Sequence, residues 1–97
     1  MKVDISGLSK FFENRIRLGI MSILIVNDSY DFNSLKAALG VTDGNLASHL
    51  KTLEENKLIR ANKKFIGKKP NTSYSATEAG EKLFRAHLKA LEEIIRK

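Results

Sequence analysis

Between Leu39 and Asn45 the chain ends one helix and begins another with almost no spacer, and that junction restricts its possible folds more than any other feature. Leu35, Ala38 and Leu39 stand at helical spacing, and Asn33 ahead of them is placed to cap a helix over 34–39. Gly40 comes next, where a residue without Cβ most readily takes the left-handed conformation that closes a helix. Val41 then buries the turn, Thr42 is placed to cap the following helix, and Asp43 falls at its positive end. That second helix covers 42–56, with Leu46, Leu50 and Leu53 forming one apolar stripe. The pattern reads as helix, tight glycine turn, helix.

At about 100° per residue, the side opposite the stripe carries Gly44, Ser48, Lys51 and Glu55, flanked by Asn45 and Thr52 on one edge and Ala47 on the other. Small and hydrogen-bonding groups dominate this face. It fits a DNA major groove, where Ser, Asn and Thr pair with base edges and phosphates and a residue without bulk admits close backbone approach. It equally fits a surface helix that meets only water.

The charge distribution shifts that balance. The chain has a net charge of +6, and no acidic residue lies between Glu55 and Glu78, an interval holding Lys57, Arg60, Lys63, Lys64, Lys68 and Lys69. The other eleven Lys and Arg balance the eleven Asp and Glu, so the whole excess sits in one segment. Concentration of this kind favours a polyanionic partner over an evenly solvated basic surface. Ninety-seven residues make one domain, with a modest core that a partner chain would help to stabilise. The lack of cysteine excludes disulfides, thiol nucleophiles and thiolate metal sites, and fits a reducing compartment. The apolar run 18–26 is too short to span a bilayer and the N-terminus lacks a signal-peptide layout, so a cytoplasmic protein without membrane attachment is expected. His49 and His87 stand in no ligand spacing, and no metal or cofactor is expected. Gly67 and Lys68 lack the rest of a phosphate-binding loop, and no nucleophile has an evident paired base, so the expectation is a non-enzyme.

Along the rest of the chain, residues 1–13 form an arm in which Leu8, Phe11 and Phe12 have the spacing of a short helix and require cover. Residues 14–26 read as the central core helix, with Ile16, Ile20, Met21, Ile23, Leu24 and Val26 covering most of its circumference. A very short strand over 30–32 precedes the helix-turn-helix. After 56–58 the period changes to two, Ile59, Ala61, Lys63 and Phe65 alternating with Arg60, Asn62, Lys64 and Ile66. A turn over 67–71 and a second alternating run over 72–76 complete a hairpin whose tip carries Lys68 and Lys69, with Tyr74 packed in it. The last helix, 77–97, is capped by Thr77 and striped by Leu83, Phe84, Leu88, Leu91, Ile94 and Ile95.

Three helices and a basic hairpin in this order are the parts of a winged helix-turn-helix, an α+β fold that is mainly α, with a three-helix core, a β-hairpin wing over 59–76 and a long C-terminal helix. The residues carry the same resemblance. NLASHLKTLEENKLI is similar to the recognition-helix segment of the ArsR and MarR groups of bacterial and archaeal regulators. The wider run from Thr42 to Gly80 resembles the small stand-alone MarR-like DNA-binding domains still more closely. Their recurring pattern falls here on Asp43, Gly44, Asn45, Leu46, His49, Leu50, Leu53 and Glu54, then on Lys64, Phe65, Gly67, Lys68, Pro70, Thr72, Tyr74, Thr77 and Gly80. The resemblance covers roughly residues 14–90. It implies sequence-dependent binding of double-stranded DNA as a homodimer, with the recognition helix in the major groove and the wing on the backbone or minor groove. The cysteine-bearing ligand motif usual in ArsR-type metal sensors is missing. A compact chain also offers no visible effector pocket, leaving any small-molecule effector unidentified.

The expected DNA-binding residues are Gly44, Asn45, Ser48, His49, Lys51, Thr52, Lys64, Lys68 and Lys69. Gly44 serves either close approach to DNA or a tight start to the helix, and His49 either donates to a phosphate or packs on the first helix. Lys68 and Lys69 either contact phosphates or protect a β edge from aggregation. The expected dimer interface joins the two ends of the chain through Leu8, Phe11, Phe12, Phe84, Leu88, Leu91, Ile94 and Ile95. A regulator that binds an operator as a homodimer is the favoured function; the alternative is a winged-helix module for protein assembly whose basic hairpin only solubilises.

Overall fold

Asn14 sets the start of the core helix, its side-chain oxygen accepting from the backbone N–H groups of Ile16 and Arg17 at 2.9 and 3.1 Å. In the computed structural model, which describes residues 2–96, this helix, α1, runs Arg15–Leu24. A single 3₁₀ turn, Lys10–Phe12, precedes it, and β1 (Tyr30–Asp31), α2 (Phe32–Leu39), α3 (Asp43–Glu55), β2 (Ile59–Ile66), β3 (Lys69–Ala76) and α4 (Glu78–Ile95) follow. Ile20, Met21 and Leu24 of α1 are fully buried against Leu35 of α2, Leu46, Leu50 and Leu53 of α3, and Phe84 of α4. The α1 helix is shorter than expected. Val26 lies past its end and is exposed, because the chain tightens there through Val26 N–H to Ile23 O while the Asn27 amide also donates to Ile23 O.

Asp31, and not Asn33, caps α2: its carboxylate accepts from the Ser34 N–H and hydroxyl. The Ser34 hydroxyl holds this carboxyl below its ordinary pKa. Pairing of Tyr30 and Asp31 with Tyr74 and Ser73 of β3 fixes the chain just ahead of the helix, so α2 starts at Phe32. Its inward side is then Phe32, Leu35 and Leu39, and Ala38 is exposed. The turn forms as the sequence implies. Gly40 is left-handed at φ +63°, and Thr42 Oγ1 accepts from the Asn45 N–H at 3.2 Å. An ion pair, Lys36 Nζ to Asp43 Oδ1 at 2.8 Å, joins α2 to the first turn of α3.

At the far end of α3, Lys57 takes φ +60°, while Leu58 N–H bonds to Leu53 O and Lys57 N–H to Glu54 O. That is the closing turn usually given to glycine. The two carbonyls that follow anchor α4. Thr77 Oγ1 donates to Lys57 O at 2.7 Å, Thr77 N–H donates to Leu58 O at 3.1 Å, and the same hydroxyl oxygen accepts from Gly80 N–H at 3.0 Å. A Cβ on Gly80 would stand 2.0 Å from Leu58 O. The sheet order is β1-β3-β2, antiparallel throughout. No helix among the described residues is long and apolar enough to cross a membrane.

Gly80→Ala must push α4 off the Leu58 carbonyl, and it should lower unfolding stability in denaturant by about 1–3 kcal/mol or more. Gly44→Ala, where an added Cβ meets nothing within 4 Å, should lose none. Equal midpoints for Gly80→Ala and the unaltered protein would contradict this account of the junction.

Candidate nucleic-acid interface

Burial of Leu46, Leu50 and Leu53 turns the opposite side of α3 to solvent, and Gly44, Asn45, Ala47, Ser48 and Lys51 are all exposed there. No other part of the protein lies within 4 Å of where a Gly44 Cβ would stand, so the backbone is open to solvent on that side. Thr52 is less available than the sequence suggests. It is half-buried, and its hydroxyl donates to Ser48 O at 3.2 Å.

His49 is half-buried and packs toward the first helix. Arg17 Nη1 stands 3.0 Å from His49 Nδ1, and because a guanidinium only donates, Nδ1 accepts and the neutral ring carries its proton on Nε2. Burial, reinforced by the Arg17 charge, holds the His49 pKa below its ordinary value. The same guanidinium donates through Nε to Phe11 O at 2.7 Å. One side chain thus ties the arm, α1 and α3 together, a role that sequence spacing did not reveal.

The wing turns more tightly than the expected 67–71 loop. Ile66 pairs with Lys69 and Phe65 with Pro70, leaving only Gly67 and Lys68 in the turn, with Gly67 at φ +66°. Pro70 is accommodated because β1 reaches β3 only at Ser73 and Tyr74, so Pro70 has a strand neighbour on one side alone. Lys63, Lys64, Lys68 and Lys69 are exposed. The three ion pairs among the described residues lie elsewhere, leaving the cations of this segment without an acidic partner there. Tyr74 is half-buried against the core as expected, and burial, with the Glu54 charge, raises its phenol pKa.

At the other end, Phe12 and Phe84 are occupied inside their own chain. Their rings meet edge to face at 5.1 Å, and both residues are buried. Ser9 N–H donates to Nδ1 of the buried His87 at 2.9 Å, fastening the arm to α4. This contact joins residues 78 positions apart, so no local motif signals it. Leu8, Phe11 and Ile94 are half-buried, while Leu88, Leu91 and Ile95 are exposed, as are Val3 and Ile5 of the arm. A cleft of about 450 Å³ runs between the arm and α4, lined by Val3, Gly7, Ala90 and Ile94 among others. No group of three or more potential metal ligands occurs among the described residues.

The sequence profile described as the winged helix DNA-binding domain matches residues 16–95. An uncharacterized protein of Methanocaldococcus jannaschii is 34% identical over 79 residues, 81% of this chain and 86% of that protein. Among solved structures, the transcriptional regulator homologue protein from Pyrococcus horikoshii OT3 superposes with a TM-score of 0.82 at 33% identity, over 90% of this chain and 86% of that one. A protein of Enterococcus faecalis V583 assigned to the MarR family of transcriptional regulators does so with a TM-score of 0.73 at 25% identity, over 86% of this chain and 74% of that one.

Because the folded state keeps His49 neutral, the unfolded chain takes up a proton more readily. The stability this residue contributes is therefore present above its ordinary pKa of about 6.5 and is lost as pH falls through the lowered folded value. Unfolding midpoints measured from neutrality down to about pH 5 should fall less steeply in His49→Gln than in the unaltered protein. Superimposable pH profiles would show that the contact with Arg17 is not coupled to protonation.

Proposed function

The chain belongs to the family of winged helix DNA-binding domains, and from that premise we propose that it is a cytoplasmic, homodimeric transcriptional regulator that binds a specific duplex operator. The 42–56 segment enters the major groove, where Asn45 and Ser48 read base edges and Gly44 lets the backbone close on the DNA. Lys51, Lys64, Lys68 and Lys69 meet phosphates, with the wing on the backbone or in the minor groove. One observation supports this most strongly: the cations of the wing segment are exposed and form no ion pair among the described residues, while the whole excess of positive charge lies between Asn56 and Thr77. An assembly module with a merely solubilising hairpin has no need to concentrate its charge next to an exposed face of small hydrogen-bonding residues. The chain functions as a single domain over 1–97, the arm at 1–13 and the helix at 77–97 serving the dimer. Leu88, Leu91 and Ile95, left exposed on α4, meet the same helix of a second chain across a twofold axis, with Ile94, Leu8 and Phe11 at the margin. Phe12 and Phe84 support that surface from beneath.

Each phosphate neutralised contributes about 0.9 to the slope of log affinity against log salt. Lys68→Ala with Lys69→Ala should flatten that slope and weaken selected and random duplexes alike, and an unchanged slope would remove the wing tip from the contact. Leu91→Glu with Ile95→Glu should convert a sedimenting dimer to a monomer and greatly weaken operator binding; a monomeric unaltered protein at micromolar concentration would sink the dimer.

A further inference from the structure

Phe65 is 71% exposed and Ile66 62%, although both lie in a strand. The register explains why neither serves the fold. Ile59, Ala61, Lys63 and Phe65 share one face of the hairpin with their partners Ala76, Tyr74, Thr72 and Pro70. At the root this face packs on the core through Ile59, Ala76 and Tyr74. Further out the hairpin has left the body of the domain, and beyond the Lys63–Thr72 pair the same face ends in Phe65 and Pro70, both exposed. Ile66 stands on the opposite face, with Lys64 and Lys69. The tip therefore presents an apolar side chain on each face, set among the exposed cations Lys63, Lys64, Lys68 and Lys69. A hairpin end that needed only solubility would keep the lysines and dispense with the phenylalanine.

We propose that Phe65, backed by Pro70, enters the minor groove of the bound duplex as an apolar wedge that loosens a base step, while the surrounding lysines hold the phosphate walls on either side. The proposal rests on the DNA-binding reading and adds a residue that sets specificity. Apolar side chains of this kind partly unstack a step and kink the duplex. The charge pattern matches the target: an apolar centre for the stacked bases, rimmed by cations for two anionic strands. It also implies a sequence preference. Pyrimidine–purine steps unstack most readily, so operators should carry a TA or CA/TG step where the wing lands, without any hydrogen bond reading it. The wing follows α3 through the rigid turn at Lys57 and Leu58, so the position of that step is set relative to the bases facing Asn45 and Ser48.

The test uses a duplex selected from a random pool by the full-length protein, carrying 2-aminopurine in turn at each step of the wing's landing site. Phe65→Ala and Phe65→Leu are compared with the unaltered chain, and far-ultraviolet circular dichroism should be unchanged because the side chain is exposed. The unaltered protein should raise 2-aminopurine emission at one step. Phe65→Ala should abolish that rise and weaken the selected duplex by at least about tenfold, with the salt slope intact because every lysine remains. Phe65→Leu should keep part of both. Full affinity and an unchanged emission profile in Phe65→Ala would overturn the wedge and leave the DNA-binding reading standing. Failure of the unaltered protein to bind any duplex would overturn both. If Phe65→Ala instead lost binding to phosphatidylserine vesicles while holding the duplex as before, the tip would be a membrane contact and the wedge would be wrong.

Discussion

Two backbone carbonyls, those of Lys57 and Leu58, hold together three parts of the molecule that the sequence separates. α3 ends at them, β2 begins from them, and the start of α4 is fastened to them by the Thr77 hydroxyl and N–H and by the close seat of Gly80. The arrangement needs a left-handed residue at Lys57, a conformation that costs a side-chain-bearing residue about 1–2 kcal/mol. The hydrogen bonds that close α3 offset this. The consequence is geometric. Both strands of the hairpin leave the domain from one fixed vertex, so the wing holds a set angle to the polar face of α3, and a basic tip on flexible strands would not.

A second junction works at the opposite side of α3. The Arg17 guanidinium reaches the arm at Phe11 O and α3 at His49, and His87 takes the arm's Ser9 N–H into α4. The arm is thereby part of the monomer, with Phe12 buried against Phe84. This changes the character of the dimer surface we propose. Of the two arm phenylalanines, Phe12 packs inside its own chain on Phe84, beneath the helix that carries Leu88, Leu91 and Ile95, and Phe11 stays half-buried at the margin. The apolar area left for a partner on α4 is the stripe of Leu88, Leu91 and Ile95, and Val3 and Ile5 of the arm are exposed as well.

The parts of the fold that depend on local chemistry could be read directly from the chain. Gly40, Thr42 and Thr77 act where their residue types place them, because a left-handed turn and an N-cap are decided within a few residues. The three-leucine stripe of α3 likewise fixed which residues face outward. What stayed hidden was whatever depends on pairing between distant segments. Asp31 displaced Asn33 as the cap because β1 pairs with β3. The wing turned at Gly67 and Lys68 because strand register ran on through Lys69 and Pro70. Arg17 and His87 found partners tens of residues away. The candidate interface divides in the same way: its face was legible and packing of His49 on the first helix was one of the two readings its position allowed, while the partial burial of Thr52 was not signalled.

The claim on which the functional account turns is that the exposed side of α3 lies against base edges in two copies related by a twofold axis. The chain contains no cysteine, so Ser48→Cys carries a photoactivatable crosslinker at a single defined site on that face. Irradiated on a duplex selected from a random pool, it should mark bases through the major groove in two clusters, one helical turn or about 10 base pairs apart. A duplex that the labelled protein still binds tightly, with no base crosslinked or with a single cluster only, would contradict the account.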